Sequence, residues 1–345
     1  MKIFRFDPSD YGDAYARDGY VHIRAGLTHE FLASVVQYAG RELASHKLDR
    51  FAIKGKKEQS LYELPDDIDI GELYEVVAAV AGLKRATITM SERHIQIYEP
   101  GAAPEPPAHK DRYPSQVSVG LSIRIPVESR LVLYPYSHRE TNPFNTSAGL
   151  RRHLQPEQLP ENALQGAREV ELDDCEGDVV MFPGSTTWHL RRRGADALNL
   201  YLKFNDFGCD PLGEDPFTQP IRERTLALVE SGDDQTLDGV YPVLSRRLDT
   251  VSRTATRDGW REVLEARVFG EEPFGLTEIQ HAALLSLGGS ENLASLARRT
   301  AGPAGVADAR RQILRLASRG AIDLLERVSP ATVVDEYTIG LGETS

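Results

Sequence analysis

The stretch beginning at Ala86 constrains the fold most. It reads "ATITMSERHIQIYEPG", "SQVSVGLSIRIP", "RLVLYPYSH", "REVEL", "GDVVMFPG" and "LNLYLKFND", a succession of alternating runs punctuated by proline and glycine. A period of two places successive side chains on opposite faces, so each run suits a strand with one face against a core. Helical spacing comes before it. Residues 16–45 read as a short strand, a turn at Ala25-Gly26 and a helix, with Thr28 as N-cap and Phe31, Val35, Val36 and Ala39 as its apolar stripe. A second helix is expected over 71–82, ended by Gly82. Many short strands behind a helical entry point to a mainly β fold, a jelly-roll or cupin-like barrel buttressed by helices.

The C-terminal part has a different texture. Residues 210–265 are charged and helix-leaning, with little strand signal. Residues 276–326 carry three short amphipathic patterns with turns at Gly288-Gly289 and Gly302-Pro303, then a small strand after Gly320, and resemble a winged-helix unit. The expected organisation is therefore a barrel domain over 1–209, a helical connector over 210–270 and a small winged-helix-like domain over 271–345. A chain of 345 residues has room for that division.

Composition removes several classes of function. Two cysteines, Cys175 and Cys209, are too few for a disulfide framework or a thiolate metal site, so any metal would rest on imidazole and carboxylate. No apolar run approaches the ~18–20 residues of a membrane span. The first residues carry early acidic groups and no apolar stretch of the signal-peptide kind, so a cytoplasmic protein is expected. A net charge of −12 argues against general nucleic-acid binding. Arg298, Arg299, Arg310, Arg311, Arg315 and Arg319 form a modest basic set in the tail, of the kind usually found on solvated helix faces.

Within "PPAHKDRYPSQVSVGLSIRIP", His109 and Asp111 stand two apart and face the same side of an extended segment, with Lys110 pointing away. Alone, such a pair is common. A third ligand candidate, His189, lies 78 residues beyond Asp111 in "GDVVMFPGSTTWHLRRRG", after a Gly-Asp turn, an apolar strand and a Pro-Gly turn. Two imidazoles and one carboxylate on one face of an iron leave positions open for cosubstrate and dioxygen.

The order and spacing of "DGYVHIRAGLTHEFL", "IQIYEPGAAPEPPAHKD", "VLYPYSHR" and "GDVVMFPGSTTWH" over residues 15–206 resemble the Fe(II)/2-oxoglutarate dioxygenases, most closely the phytanoyl-CoA hydroxylase-like branch. The resemblance implies a double-stranded β-helix and Fe(II) held by His109, Asp111 and His189. It also implies 2-oxoglutarate and O2 as cosubstrates, with release of succinate and CO2 as an unactivated C–H bond is hydroxylated. Asp111 occupies a place that is a small residue in related halogenases, which favours hydroxylation over halogenation.

A cation must hold the distal carboxylate of 2-oxoglutarate. The family's usual arginine, about ten positions after the distal histidine, is replaced here by Asn199. Alternation puts Asn199, Tyr201, Lys203 and Asn205 on the barrel-lining face of one strand and Ser118, Ser122 and Arg124 on that of another. Arg124 and Lys203 are thus the two candidates, Arg124 ranked first for its bidentate grip. His94 shares a face with Gln96 and Tyr98 and is a further candidate contact. His138 is read as structural, and Arg191–Arg193 as a solvated hairpin turn, with contact to an anionic substrate as the alternative.

The substrate is expected to be a small molecule, an amino-acid derivative or biosynthetic intermediate, free or linked to a peptide or carrier. Two alternatives stand beside that expectation. One is a peptide or protein hydroxylase using the C-terminal domain for recognition or homodimerisation. The other is a non-catalytic barrel serving as a regulatory module.

Overall fold

The computed structural model describes residues 1–44, 57–256, 261–269, 271–301 and 305–326. The chain divides into two compact units, Met1–Phe207 and Gly208–Ser345.

The first unit runs α1 (Gly12–Asp18), β1 (Val21–Ile23), α2 (His29–Ala44), β2 (Lys57–Leu61), α3 (Ile70–Ala81), β3 (Thr89–Tyr98), β4 (Val117–Arg124), β5 (Arg130–Tyr134), α4 (Ser147–His153), α5 (Pro160–Ala163), β6 (Val170–Leu172), β7 (Val179–Phe182), β8 (Trp188–Arg192) and β9 (Leu198–Asn205). The hydroxyl of Thr28 accepts from the Phe31 amide and starts α2, and Gly82 takes the left-handed conformation that ends α3. Phe31, Val35 and Ala39 are buried along α2. Val36 is 49% exposed, because one residue on from Val35 is about 100° round the helix.

The strands build two antiparallel sheets, one ordered β1-β7-β4-β9-β3-β2 and the other β6-β5-β8. Leu131 and Leu133 of β5 and Leu172 of β6 pack in one cluster with Val180 and Phe182 of β7 and Tyr201 of β9, so the small sheet lies face to face on the large one. The small sheet gains one further rung. His109 and His189 exchange both backbone hydrogen bonds at 2.9 Å, bringing the loop before β4 alongside β8. Two facing antiparallel sheets make a jelly-roll layering with helices on the entry side.

The second unit contains α6 (Thr218–Ser231), α7 (Asp234–Gly239), β10 (Tyr241–Leu244), β11 (Leu248–Ala255), β12 (Glu262–Val268), β13 (Phe274–Gly275), α8 (Glu278–Ser286), α9 (Leu293–Thr300), α10 (Val306–Ser318) and β14 (Ile322–Leu325). The three expected short helices and the strand after Gly320 are present, with Thr277 and Asn292 capping α8 and α9. Residues 327–345, the rest of the expected winged-helix-like domain, lie outside the described residues.

The stretch expected to be a helical connector is different. It holds β10, β11 and β12, and Val240, Ala266 and Val268 share one core with Leu293, Ile313 and Leu324. β11 is mostly polar with no buried residue, which hid it, whereas β12 alternates buried Leu264, Ala266 and Val268 with charged neighbours, a short signal that the sequence does carry. Several tail arginines are spent within the unit: Arg299 on Glu291, Arg310 on Asp234 and Asp238, Arg311 on Asp308. Arg319 lies over the Phe274 ring. Among the described residues no helix is long and apolar enough to cross a membrane.

Asp210 gives the second unit a pH dependence. Burial and the neighbouring Asp215 carboxylate push it up to about 7, against the backbone amides of Glu214 and Asp215 that donate to it. The folded form therefore holds a proton that the unfolded chain releases near pH 4. This contribution to stability is present below that pH and is lost as pH rises through 7. Thermal melts at pH 5 and pH 8 should show the native protein losing on the order of 2–4 kcal/mol that Asp210→Asn does not lose. Equal pH slopes for the two proteins would refute it.

Candidate metal centre

The HKD segment enters the site along a strand-like path, and its backbone fixes the side chains. His109 is bridged to β8, and the Asp111 amide donates to the Gly184 carbonyl at 2.9 Å. Asn142, fully buried, donates to the Asp111 carbonyl at 2.8 Å. Lys110 points away from the ligands, as alternation requires. Its ammonium lies over the Trp188 ring and is bonded to the carbonyl oxygens of His138 and Glu140. His138 thus serves a loop, in the left-handed region with φ 52°.

The donor atoms of His109, Asp111 and His189 lie within 4.8 Å of one another, the one such set of three among the described residues. His189 Nδ1 is 2.9 Å from the Thr187 carbonyl, an oxygen that can only accept. Nδ1 therefore carries the proton, and the lone pair of Nε2 faces Asp111 Oδ1 at 3.8 Å. Two imidazoles and a carboxylate gathered this closely fit a divalent cation.

The Asp111 carboxylate is held from behind. Ser118 donates to Oδ2 at 2.6 Å and Lys203 to Oδ1 at 2.9 Å. Lys203 in turn contacts Glu92, directly opposite it across β3 and β9, at 3.1 Å, and Glu92 also pairs with Arg112. Burial alone would raise the Asp111 pKa, but the Lys203 ammonium holds it well below the usual carboxylate range. Glu92 is likewise lowered against its burial by Lys203 and Arg112. Asp111 is an anion at any working pH, as a ligand must be.

Gly184 is what lets this carboxylate sit so close to the β7–β8 turn. A Cβ there would stand 2.6 Å from Asp111 Oδ2 and collide with the Ser118 hydroxyl. Gly184→Ala is expected to cost about 2–4 kcal/mol of stability and to weaken metal binding by at least ~10-fold, by turning the carboxylate. A melt and a metal titration check it, and an unchanged metal affinity would show that Asp111 has room to spare.

Of the two expected cosubstrate cations, the structure brings Lys203 to the site and leaves Arg124 out. Arg124 is exposed at the end of β4, past a register shift at Ser122, and its Nε donates to the Asp196 carbonyl. It stands six residues along the strand from Ser118, roughly 20 Å away. The face assignment of β4 was sound for Ser118 and Ser122, but the bulge and the strand end carry Arg124 into solvent. Lys203 is at the site but committed to Asp111 and Glu92. His94 is buried against Glu92 and does not line the cavity.

The cation missing from the sequence reading is Arg191. Arg192 does reach outward, to Glu105, Glu169 and Glu171, and Arg193 takes a turn conformation. Arg191, two residues after His189 on β8, points inward and is 3% exposed. It grips Asp174 through both terminal nitrogens at 2.8 and 2.9 Å, and Asp174 also accepts from Ser122. Burial opposes its charge, but Asp174 and the adjacent tyrosines raise its pKa further. Its Nε and the neighbouring Asn199 Nδ2 are buried donors with no acceptor. The period of two from His189 was the available signal, masked by the run of three arginines.

His109, Asp111, Lys203, Glu92, Tyr98 and Arg191 all line one cavity of about 450 Å3. The orphaned donor on Arg191 fits a carboxylate at one place on its wall, with Asn199 Nδ2 a second buried donor beside that arginine, and the His109, Asp111 and His189 set fits a divalent metal.

No family model matches the chain, and no curated protein matches it. Solved structures do. The epimerase SnoN, in complex with Fe3+, alpha ketoglutarate and nogalamycin RO, aligns at 16% identity over 58% of this chain and 83% of its own, with a TM-score of 0.42. A Pseudomonas putida prolyl-4-hydroxylase aligns at 15% over 58% and 98%, with a TM-score of 0.40. EctD from S. alaskensis with bound Fe aligns at 14% over 59% and 83%, with a TM-score of 0.39. At such scores the weight rests on the site: two histidines and one aspartate whose donor atoms lie within 4.8 Å of one another, His109 and Asp111 on a cavity wall.

Proposed function

We propose that the protein is an Fe(II)/2-oxoglutarate-dependent dioxygenase that hydroxylates an unactivated C–H bond of a small molecule, acting in the cytoplasm. One observation carries the reading. The donor atoms of His109, Asp111 and His189 lie within 4.8 Å of one another, and His109 and Asp111 line the same cavity as a buried arginine with a spare donor.

His109, Asp111 and His189 would hold the iron, and Arg191 with Asn199 would take the distal carboxylate of 2-oxoglutarate. The bound metal and cosubstrate would supply the oxidising chemistry, coupled to formation of succinate and CO2. The protein's own part is orientation. Thr187 fixes the His189 tautomer; Ser118, Lys203 and Glu92 fix the carboxylate; Asp174 fixes the roll of the Arg191 guanidinium. Tyr201 stands opposite Gly120 and beside Arg191, and a glycine at 120 leaves room for its ring.

The C-terminal unit is read as winged-helix-like, serving dimerisation or recognition of a carrier. Its internally paired arginines fit a protein partner better than a nucleic acid.

Anaerobic protein should take up one equivalent of Fe(II) and then 2-oxoglutarate, and on admission of air release succinate in an iron-dependent manner. No 2-oxoglutarate binding to iron-loaded protein would end the reading.

A further inference from the structure

The cavity wall says what kind of molecule could lie beside the metal. One side is formed by Ala102, Ala103, Pro106, Pro107, Trp188 and Leu190, a stiff apolar surface. The charged side chains on the remaining wall all have partners within the chain. Lys203 and Arg112 are on Glu92, Arg191 is on Asp174, Arg151 at the mouth is on Glu161, and Lys110 is on backbone carbonyls. A divalent metal and a dicarboxylate cosubstrate cancel each other and leave that balance unchanged.

A free amino acid would bring an ammonium and a carboxylate into this space with no countercharge waiting for either. Desolvating an unpaired ion costs several kcal/mol, which an apolar contact of this size does not offset. One polar atom does wait. Asn145 lines the cavity, and its Oδ1 is buried with no hydrogen-bond partner. With the open Arg191 Nε assigned to the cosubstrate, this acceptor calls for a donor on the substrate.

Resting on the oxygenase reading, we propose that the molecule oxidised here is uncharged and largely apolar, and carries a hydroxyl or amide N–H that donates to Asn145 Oδ1. This narrows the substrate away from free amino acids and other zwitterions.

The test uses the full chain, anaerobic, loaded with Zn(II) as a redox-silent metal and with 2-oxoglutarate. Calorimetric titrations compare probes on one skeleton: 2-naphthylethanol, its methyl ether, naphthylacetate, naphthylethylammonium and naphthylalanine. The alcohol should bind tightest, each charged probe at least ~10-fold more weakly. In Asn145→Leu the alcohol should fall to the level of the ether, with Zn(II) and 2-oxoglutarate affinities unchanged. Naphthylalanine or naphthylacetate binding as tightly as the alcohol would overturn the proposal, as would an ether equal to the alcohol in the native protein or no binding by any probe. Failure to take up Zn(II) and 2-oxoglutarate strikes instead at the oxygenase reading, and the ranking of neutral over charged probes is then still read on the metal-free protein.

Discussion

Asp111→Ala should abolish iron-dependent succinate formation and weaken metal binding by at least ~100-fold, beyond the 10–100-fold that loss of an outer partner typically costs. The substitution removes one of three ligands, and it does something further. The Lys203 ammonium, now shared with Glu92 alone, is left facing the position where the metal would sit. The two imidazoles would then have to recruit a dication against an uncompensated positive charge. A calorimetric titration with Fe(II) or Co(II) under nitrogen reads the affinity, and circular dichroism confirms that the fold survives. Metal affinity within a few-fold of the native protein would show that the three side chains do not form the centre.

Arg191→Leu is expected to damage two properties at once, and a second substitution separates them. Stability should fall by about 3–5 kcal/mol, because Asp174 is left as a buried, unpaired carboxylate. Affinity for 2-oxoglutarate should fall at least ~100-fold, as expected for loss of the charge-assisted contact that fits its distal carboxylate. In Arg191→Leu/Asp174→Leu both charges are gone, so most of the lost stability should return while the cosubstrate affinity stays low. Arg124→Ala, by contrast, should leave that affinity unchanged, since its guanidinium lies in solvent at the strand end. Normal 2-oxoglutarate binding by the double variant would move the anchor elsewhere.

The barrel and its three candidate ligands were legible because their signals are local or strictly periodic. His109 and Asp111 are two apart, His189 follows an apolar strand, and the alternation of β9 placed Asn199, Tyr201 and Lys203 on one face together. What escaped depended on partners distant in sequence. Arg191 looked like one of three solvent-facing arginines until Asp174, from the loop before β7, turned out to be its buried mate. Glu92 lay unnoticed because its meaning comes from Lys203 across the sheet, and His94, two residues on and read as a candidate contact, lies off the cavity. Arg124 failed for the opposite reason. Parity was right, but parity does not report a bulge at Ser122 or where a strand ends. In the second unit β11 carries too little apolar alternation to announce itself, while the short alternation of Leu264, Ala266 and Val268 in β12 was available in the sequence.

The reciprocal backbone hydrogen bonds between His109 and His189 separate two kinds of inheritance. Main-chain atoms hold the two imidazoles at their spacing, independent of side-chain identity nearby. The cavity wall, in contrast, comes from the connections on either side of that rung, residues 99–108 and 142–151, which carry no ligand. Lineages could rewrite those connections residue by residue and present new molecules to an unaltered reaction centre. A scaffold arranged in this way separates the choice of target from the chemistry performed on it.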